Sequence, residues 1–417
     1  MIKKLSFILI MLLLFSLLSA YMTIGNEVFL KVLVKLDKTI TLNTDGLIFI
    51  NGQEFHSKSL KISHTSKGKV KISLDNKSFT DEPYTFELSL TGNFYLSGRP
   101  KQQFSGDIHL REHKGEIAVM NLMNLESYTR YVVVSEIGTG APVEALKSQA
   151  VIARTYAIHQ SMKNSNYPWD LRADTYSQVF NTKKRVPQNV IDATNATAYM
   201  LVTYQGQVAF TPFNSYSGGY LANVEQVWGG KGYPYLADKT DVDFLKGKKM
   251  NSYRVVEDWI RKDPAKVYYN YDKLPNWIKD SYQWKRTVSL STVASKGKFS
   301  KIYSAKVDGR DDSGRISKIT FNTASGKKTI TSQDRIRALL GGIPSTLAII
   351  KVSGNNLIIE GKGNGHGVGF CQSGGYLKSY AGWDYVRIIK HYYPGCEITS
   401  DYFWETSEED ELENLFN

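Results

Sequence analysis

The stretch VVVSEIGTGAPVEALKSQAVIARTYAIHQ, Val132 to Gln160, opens on three β-branched residues and closes on a small-residue periodicity. The valines predict a buried strand. The GTGAP segment predicts a turn that delivers Pro142 to a first helical turn, where proline is tolerated. The helix is expected from Val143 to Met162, because Leu146, Ala150, Ala153 and Ala157 recur at three and four residues and give it one closely packing face. Glu136 stands between the two halves. From spacing alone it is either a cap on an exposed basic stripe or a functional carboxylate. Lys147 and Arg154 are seven residues apart and fall on one side of the helix, where they either line a solvated stripe or hold an anion or polar substrate.

Working back toward the N-terminus, GEIAVMNLMNLESYTRYVVVSEI predicts two apolar strands around a polar joint at Asn124 to Arg130. Before it, Glu27 to about Ile117 alternates short apolar runs with Gly, Asn, Asp and Lys, as in DGLIFING and YTFELSLTGNFYLSG, which is strand and turn chemistry. The chain starts with Lys3 and Lys4 ahead of an uncharged, mostly apolar run from Leu5 to about Gly25. That is the charge pattern of a signal segment whose positive end stays in the cytoplasm, so the rest is expected to lie outside the cytoplasmic membrane. The reading favours an uncleaved anchor and leaves a cleaved signal open.

The sequence has 417 residues, 42% of them hydrophobic and 12% aromatic, enough for a sizeable core and for more than one domain. The net charge of +12 is dispersed, and the short KKR run at Lys183 to Arg185 reads as a solvated loop, so no nucleic-acid partner is expected. An exported basic chain meets cell-wall polymers and membrane surfaces instead. Cys371 and Cys396, the only cysteines, are either two unrelated buried thiols or one disulfide.

Beyond the long helix, a short helix is expected near Val190 to Ala198, then strands AYMLVTYQG and QVAFTPFNSYSGG, and then the turn-rich, aromatic VWGGKGYPYL. Residues 243–346 read as a lysine-rich excursion with a helix near Val256 to Ile260 and strands around Tyr303 and Ile319. Helix, turn and paired strands return in DRIRALLGGIPSTLAIIKVSGNNLIIEGKG, and DYFWETSEEDELENLFN, from Asp401, forms an acidic tail. The fold class expected is α+β: a strand-rich N-terminal part at 26–105, a mixed core with a long packed helix at 106–242 and 347–400, an inserted lobe at 243–346, a signal anchor at 1–25 and the tail at 401–417.

Two further places offer chemistry. GKGNGHGVGFCQSGG, Gly361 to Gly375, holds seven glycines in fifteen residues around His366. Such density lets a backbone approach a ligand closely, and core packing does not readily explain it. The spacing matches neither a dinucleotide nor a phosphate loop. FNSYSGGY, Phe213 to Tyr220, ends a strand in hydroxyls and glycines, and reads either as an ordinary turn or as a sugar-binding rim with Ser215, Ser217 and Tyr216 beside Trp228 and Tyr233.

The segments SEIGTGAPVEALKSQAVIARTYA, DTYSQVF, NSYSGG and GNGHGVGFCQSGGYLKSYAGWDYVRIIKHYYPG together resemble the stage II sporulation protein D family, also called SpoIID/LytB, in the family's order from about Gly106 to Ile398. The resemblance implies a peptidoglycan lytic transglycosylase, with Glu136 as its catalytic acid. It implies substrate contacts from Lys147, Arg154, Asp174, Gln178, Ser215, Ser217, His366 and Gln372. Zinc-binding members carry cysteines and a histidine around the segment matching ADTYSQVF. Here that segment offers Asp174, Tyr176 and Ser177, so no metal and no other cofactor is expected.

One carboxylate suits an intramolecular route rather than the usual pair. That route needs Glu136 protonated near neutral pH, a state expected to come from desolvation against the valine strand. The expected products are 1,6-anhydro-N-acetylmuramic acid ends, made for wall remodelling, or for engulfment if the host sporulates. The alternative is a non-catalytic, wall-binding enhancer of an N-acetylmuramoyl-L-alanine amidase. The partners expected are glycan strands, that amidase, and the membrane through the N-terminal segment.

Overall fold

The structure is a computed structural model that describes residues 22–24, 27–65, 67–174 and 177–400, with only the backbone of 22–24. Most of the expected signal segment, the acidic tail at 401–417, and Thr175 and Tyr176 lie outside the described residues. Met22–Ile24, at the end of the apolar run, is a short strand antiparallel to the start of Glu27–Asp37. Among the described residues, no helix is long and apolar enough to cross a membrane.

The described chain is α+β and divides into two units. One comprises residues up to 140, 149–210 and from 398 onward; the other comprises 141–148 and 211–397.

The first unit is built on a twelve-stranded sheet whose main path runs Met22–Ile24, Glu27–Asp37, Glu116–Asn124, Phe104–His113, Leu88–Leu96, Thr39–Thr44, Ser59–His64, Val70–Leu74, Lys77–Asp81. Its neighbours along this path are antiparallel. The period of two explains the pairing: TITLNT buries Ile40 and Leu42, SLKISH buries Leu60 and Ile62, and VKISL buries Val70, Ile72 and Leu74. Each such side chain contributes about 1.5–3 kcal/mol by leaving water. Leu171–Arg172 adds a parallel rung on Glu27–Asp37, and Asp170 anchors it by accepting the Lys31 amide at 2.6 Å.

The valine run is not a strand, and this corrects the sequence reading. Glu116–Asn124 is the expected strand, but Leu125–Glu136 is a helix. Asn124 caps it, its Oδ1 accepting the amides of Glu126 and Ser127 at 3.0 and 3.3 Å. Leu125, Tyr128, Thr129, Val132 and Val133 are buried at helical spacing, and the turn ends where Gly138 takes φ +82°. All three valines are buried in the helix, and that burial outweighs their β preference, which spans about 1 kcal/mol in a host protein and varies with context. Glu136 therefore ends a helix.

The long helix spans Val143–Lys163; its first turns belong to the second unit and the rest to the first. Leu146, Ala150, Ala153 and Ala157 are all fully buried, as their spacing implies.

The second unit holds two antiparallel three-stranded sheets, Trp284–Ser289 with Asn356–Gly361 and Ala348–Ser353, and Ile302–Arg310 with Ile316–Thr323 and Gly326–Ile330. Helices Leu290–Gly297 and Gln333–Leu339 share their core through Val293, Ile336 and Leu339. In the same unit Phe213–Asn214 runs parallel to Phe370–Cys371, which leads into helices Gln372–Tyr380 and Tyr385–Tyr392.

Candidate functional site

Glu136 occupies the last turn of its helix, half-buried, and its Oε1 accepts the Val179 amide N–H at 2.7 Å. The carboxyl is thus held by the backbone of the Asp174–Phe180 segment, which the sequence reading had grouped with it. Gln178, next to that amide, is buried and donates from Nε2 to the Tyr128 hydroxyl and the Ala153 carbonyl, both at 3.3 Å. Its Oε1 has no partner among the described residues. Tyr128 and Tyr156 complete the surroundings, and sequence reasoning missed both. Burial, with Tyr156 and Glu136 adding charge repulsion, holds the Tyr128 hydroxyl far above its ordinary value. Burial and then Glu136 push Tyr156 up to about 12. Both remain neutral donors at neutral pH.

Arg154 is elsewhere in this unit than the basic stripe places it. Its side chain is fully buried, with Nε and Nη2 each 2.7 Å from the two oxygens of Glu126 and Nη1 donating to Met200 O at 3.1 Å. Glu126 also accepts the Tyr199 amide at 3.3 Å. The bidentate pair ties the first turn of the capped helix to the long helix and to the segment before Leu201–Tyr204. Asp174 is partly exposed and pairs with Arg172 at 3.0 Å.

Lys147, in the second unit, is partly buried with its Nζ 2.8 Å from Glu144 Oε1. Glu144 Oε2 accepts the Tyr385 amide at 2.8 Å, and the Lys147 ammonium lies 5.7 Å from the Tyr385 ring centroid. Glu144 and Lys147 thus share a side of the helix start, three residues apart.

The glycine-rich segment is dense for a packing reason, contrary to expectation. Gly367 has φ +82°, and a Cβ there would collide with the guanidinium of fully buried Arg315. Gly369 has φ +71° and admits no Cβ against Pro212 O. Arg315 braces this region from below, donating to Ser217 O at 2.5 Å and to Tyr220 O at 3.1 Å. His366 is half-buried, with its ring 4.7 Å from that of Trp228 and its Nδ1 accepting the Val368 amide at 3.0 Å. Burial, followed by the charge of Arg315, pushes the imidazole down to about 3, so it is neutral with its proton on Nε2.

Ser215 is half-buried and accepts the Ser373 amide through its carbonyl at 3.0 Å. Ser217 does not face a rim. It is fully buried, its amide donating to Cys371 Sγ at 3.3 Å and its hydroxyl 3.5 Å from Asp241 Oδ2. Gln372 is also buried, at the start of a helix that Cys371 Sγ caps by accepting the Gly374 amide at 3.4 Å. Cys371 and Cys396 are both free and buried, so the reading of two separate thiols holds and no disulfide joins them.

Asp241 escaped the sequence reading. It lies buried with Lys378 Nζ at 2.7 Å, His391 Nε2 at 3.0 Å and Tyr392 Oη at 3.1 Å. Burial opposes its ionisation, but Lys378 and then His391 outweigh that and hold the carboxyl well below the usual carboxylate range. Nothing near Asp241 in sequence announces this, because its partners come from the last two helices, about 140 residues on.

A family model described as stage II sporulation protein matches residues 113–204, and one described as a domain of unknown function matches residues 222–369. An uncharacterised protein of Brachyspira hyodysenteriae is 31% identical over 299 residues, 71% of this chain and 72% of that protein. The stage II sporulation protein D of Bacillus subtilis is 27% identical over 290 residues, covering 66% and 74% of the two chains. The chain belongs to the stage II sporulation protein D family. The amidase enhancer of Bacillus subtilis is 28% identical over 303 residues, which is 64% of this chain but 40% of that protein. Of the site residues read from the sequence, Glu136, Lys147, Arg154, Asp174 and Gln178 fall within the first matched segment and His366 within the second. Ser215, Ser217 and Gln372 lie outside both.

Proposed function

We propose that this SpoIID family member is a lytic transglycosylase that cleaves the bond between N-acetylmuramic acid and N-acetylglucosamine in peptidoglycan glycan strands, outside the cytoplasmic membrane. The observation that carries the reading is Glu136: a partly accessible carboxyl at a helix end, oriented by the Val179 amide.

In this mechanism Glu136 gives its proton to the bridging oxygen while the C1–O bond breaks, the bonding pair leaving with that oxygen. The carboxylate then removes the proton of the muramic acid C6 hydroxyl, whose oxygen closes on C1. The product is a 1,6-anhydro sugar, and no water is consumed. Holding the C6 hydroxyl in place turns a bimolecular attack into a unimolecular one. Lys147, Asp174, Ser215 and His366 keep part of their side chains accessible and are assigned to the substrate. Arg154, Gln178, Ser217 and Gln372 are buried and are assigned to holding the backbone around them.

The likeness to a protein named amidase enhancer favours a second reading, a non-cutting partner of an amidase. One experiment separates the two: incubation with purified, peptide-stripped glycan strands and mass spectrometry of the products. Anhydro-muramic ends support the first reading. Their absence, with stimulation of an added amidase, replaces it with the second.

A further inference from the structure

The strand-rich region before residue 113 lies outside both matched family segments, and it contains a cleft that the reaction at Glu136 does not use. Two adjoining hollows of about 400 and 420 Å³ meet at Tyr84 and Arg111. Each is at the lower end of the size range of small-ligand sites and matches one or two sugar rings. The floor follows from strand register. In Phe104–His113 the buried residues Ile108 and Leu110 alternate with Asp107, His109 and Arg111, so those three share the outward face. Ser89 of the neighbouring strand is the direct cross-strand partner of Asp107. The wall is the single turn Pro83–Thr85, where buried Pro83 fixes the backbone and Tyr84 stands 66% exposed.

Tyrosine exposed to that degree beside a groove offers an apolar face with a polar tip. The charges around it are mixed. Glu87 and Asp107 line one hollow, Glu82 and Glu112 the other, and Arg111 lies between them. Arg111 gives one donor to Leu110 O at 2.8 Å, makes no ion pair among the described residues and lines both hollows. Four carboxylates around a single guanidinium argue against an anionic membrane surface or a densely charged polyphosphate, and leave room for one carboxylate at Arg111. Carboxylates that accept hydroxyl protons, a guanidinium and an aromatic face suit a pyranose chain.

We propose that this cleft is a second glycan-binding site, in which the Tyr84 ring packs on a sugar face, Asp107 accepts ring hydroxyls and Arg111 pairs with the lactyl carboxylate of a muramic acid unit. The inference rests on the reading of wall glycan as the substrate, and it assigns the N-terminal sheet to holding a strand while another segment is cut.

The test measures binding and cutting separately in the full chain. Affinity is read by isothermal titration with two probes of matched length, peptide-stripped glycan strands and chitin oligosaccharides. Cleavage is read by anhydro-muramic ends from saturating short glycans. Tyr84→Ala is expected to weaken both probes roughly tenfold, and Arg111→Gln to weaken the muramic strands alone by a similar factor. Neither change alters the rate on saturating short glycans. Both side chains are at the surface, and circular dichroism checks that the fold is kept. Unchanged affinity in both variants overturns the proposal, as does an absence of glycan binding by the parent chain. Binding that depends on Tyr84 in a chain that makes no anhydro ends leaves this site standing and removes the proposed reaction; anhydro ends with Tyr84-independent binding do the reverse.

Discussion

Arg154 and Glu126 form a two-pronged ion pair, both prongs at 2.7 Å, around a guanidinium that solvent does not reach. The family resemblance draws attention to Arg154 as a substrate contact, but the geometry makes it a fastening between two helices. Removing one partner of such a pair strands a buried charge and costs about 3–5 kcal/mol. Arg154→Met should therefore lower the unfolding free energy measured in urea by that amount, and adding Glu126→Gln should restore a part of it. A Michaelis constant that rises in Arg154→Met while the urea midpoint stays fixed would return Arg154 to the substrate.

Glu136→Gln retains an oxygen to accept the Val179 amide and removes only the transferable proton. The variant should fold with an unchanged thermal midpoint. Its release of anhydro-muramic ends should fall by about 10²–10⁴-fold, the usual contribution of a positioned acid. If the variant releases these ends at the rate of the parent chain, another group donates the proton.

How far the sequence discloses this arrangement depends on whether the cause is local. The long helix is legible because Leu146, Ala150, Ala153 and Ala157 repeat at helical spacing and all four are buried. The helix before it misleads because its three valines signal a strand although local helix signals are also present: Asn124 as a cap, Leu125, Tyr128 and Val132 at helical spacing, and Gly138 as a stop. The Arg154–Glu126 pair and the Asp241 cluster are formed by residues 28 and more than 130 apart, and no local pattern encodes either. The glycine run is visible in sequence, but its cause is not. Only the tertiary neighbours, such as Trp284 at Gly361, Arg315 at Gly367 and Pro212 at Gly369, show that these glycines make room for protein.

Gly367→Ala tests that last point. The substitution places a methyl group against a buried guanidinium at a φ that alanine resists, so both strain and overpacking act. A loss of about 2–4 kcal/mol in urea unfolding of the full chain is expected. Gly342 has a similar φ of +78° with open space around it, and alanine there should cost less because only the backbone is strained. Equal losses at the two positions would mean that Arg315 yields and that the packing argument is wrong.

The imidazole of His366 gives a pH dependence whose sign is fixed. Its folded value, about 3, lies below the ordinary 6.5 because burial and then Arg315 disfavour the cation. Between these values the unfolded chain binds a proton that the folded chain refuses. The group's contribution is therefore complete above about 6.5 and is lost as pH falls toward 3, with a steepest slope of about 1.4 kcal/mol per pH unit. His159 and His391 are shifted in the same direction, mainly by burial, and share the window, so the comparison must be made between chains. His366→Gln should unfold more easily than the parent at pH 7, and the gap should narrow steadily down to pH 5. Nuclear magnetic resonance of the imidazole carbon-bound protons gives the direct measurement: the His366 resonance should stay at its neutral position down to pH 5. Titration near 6.5 would show that neither burial nor the charge of Arg315 holds the ring neutral.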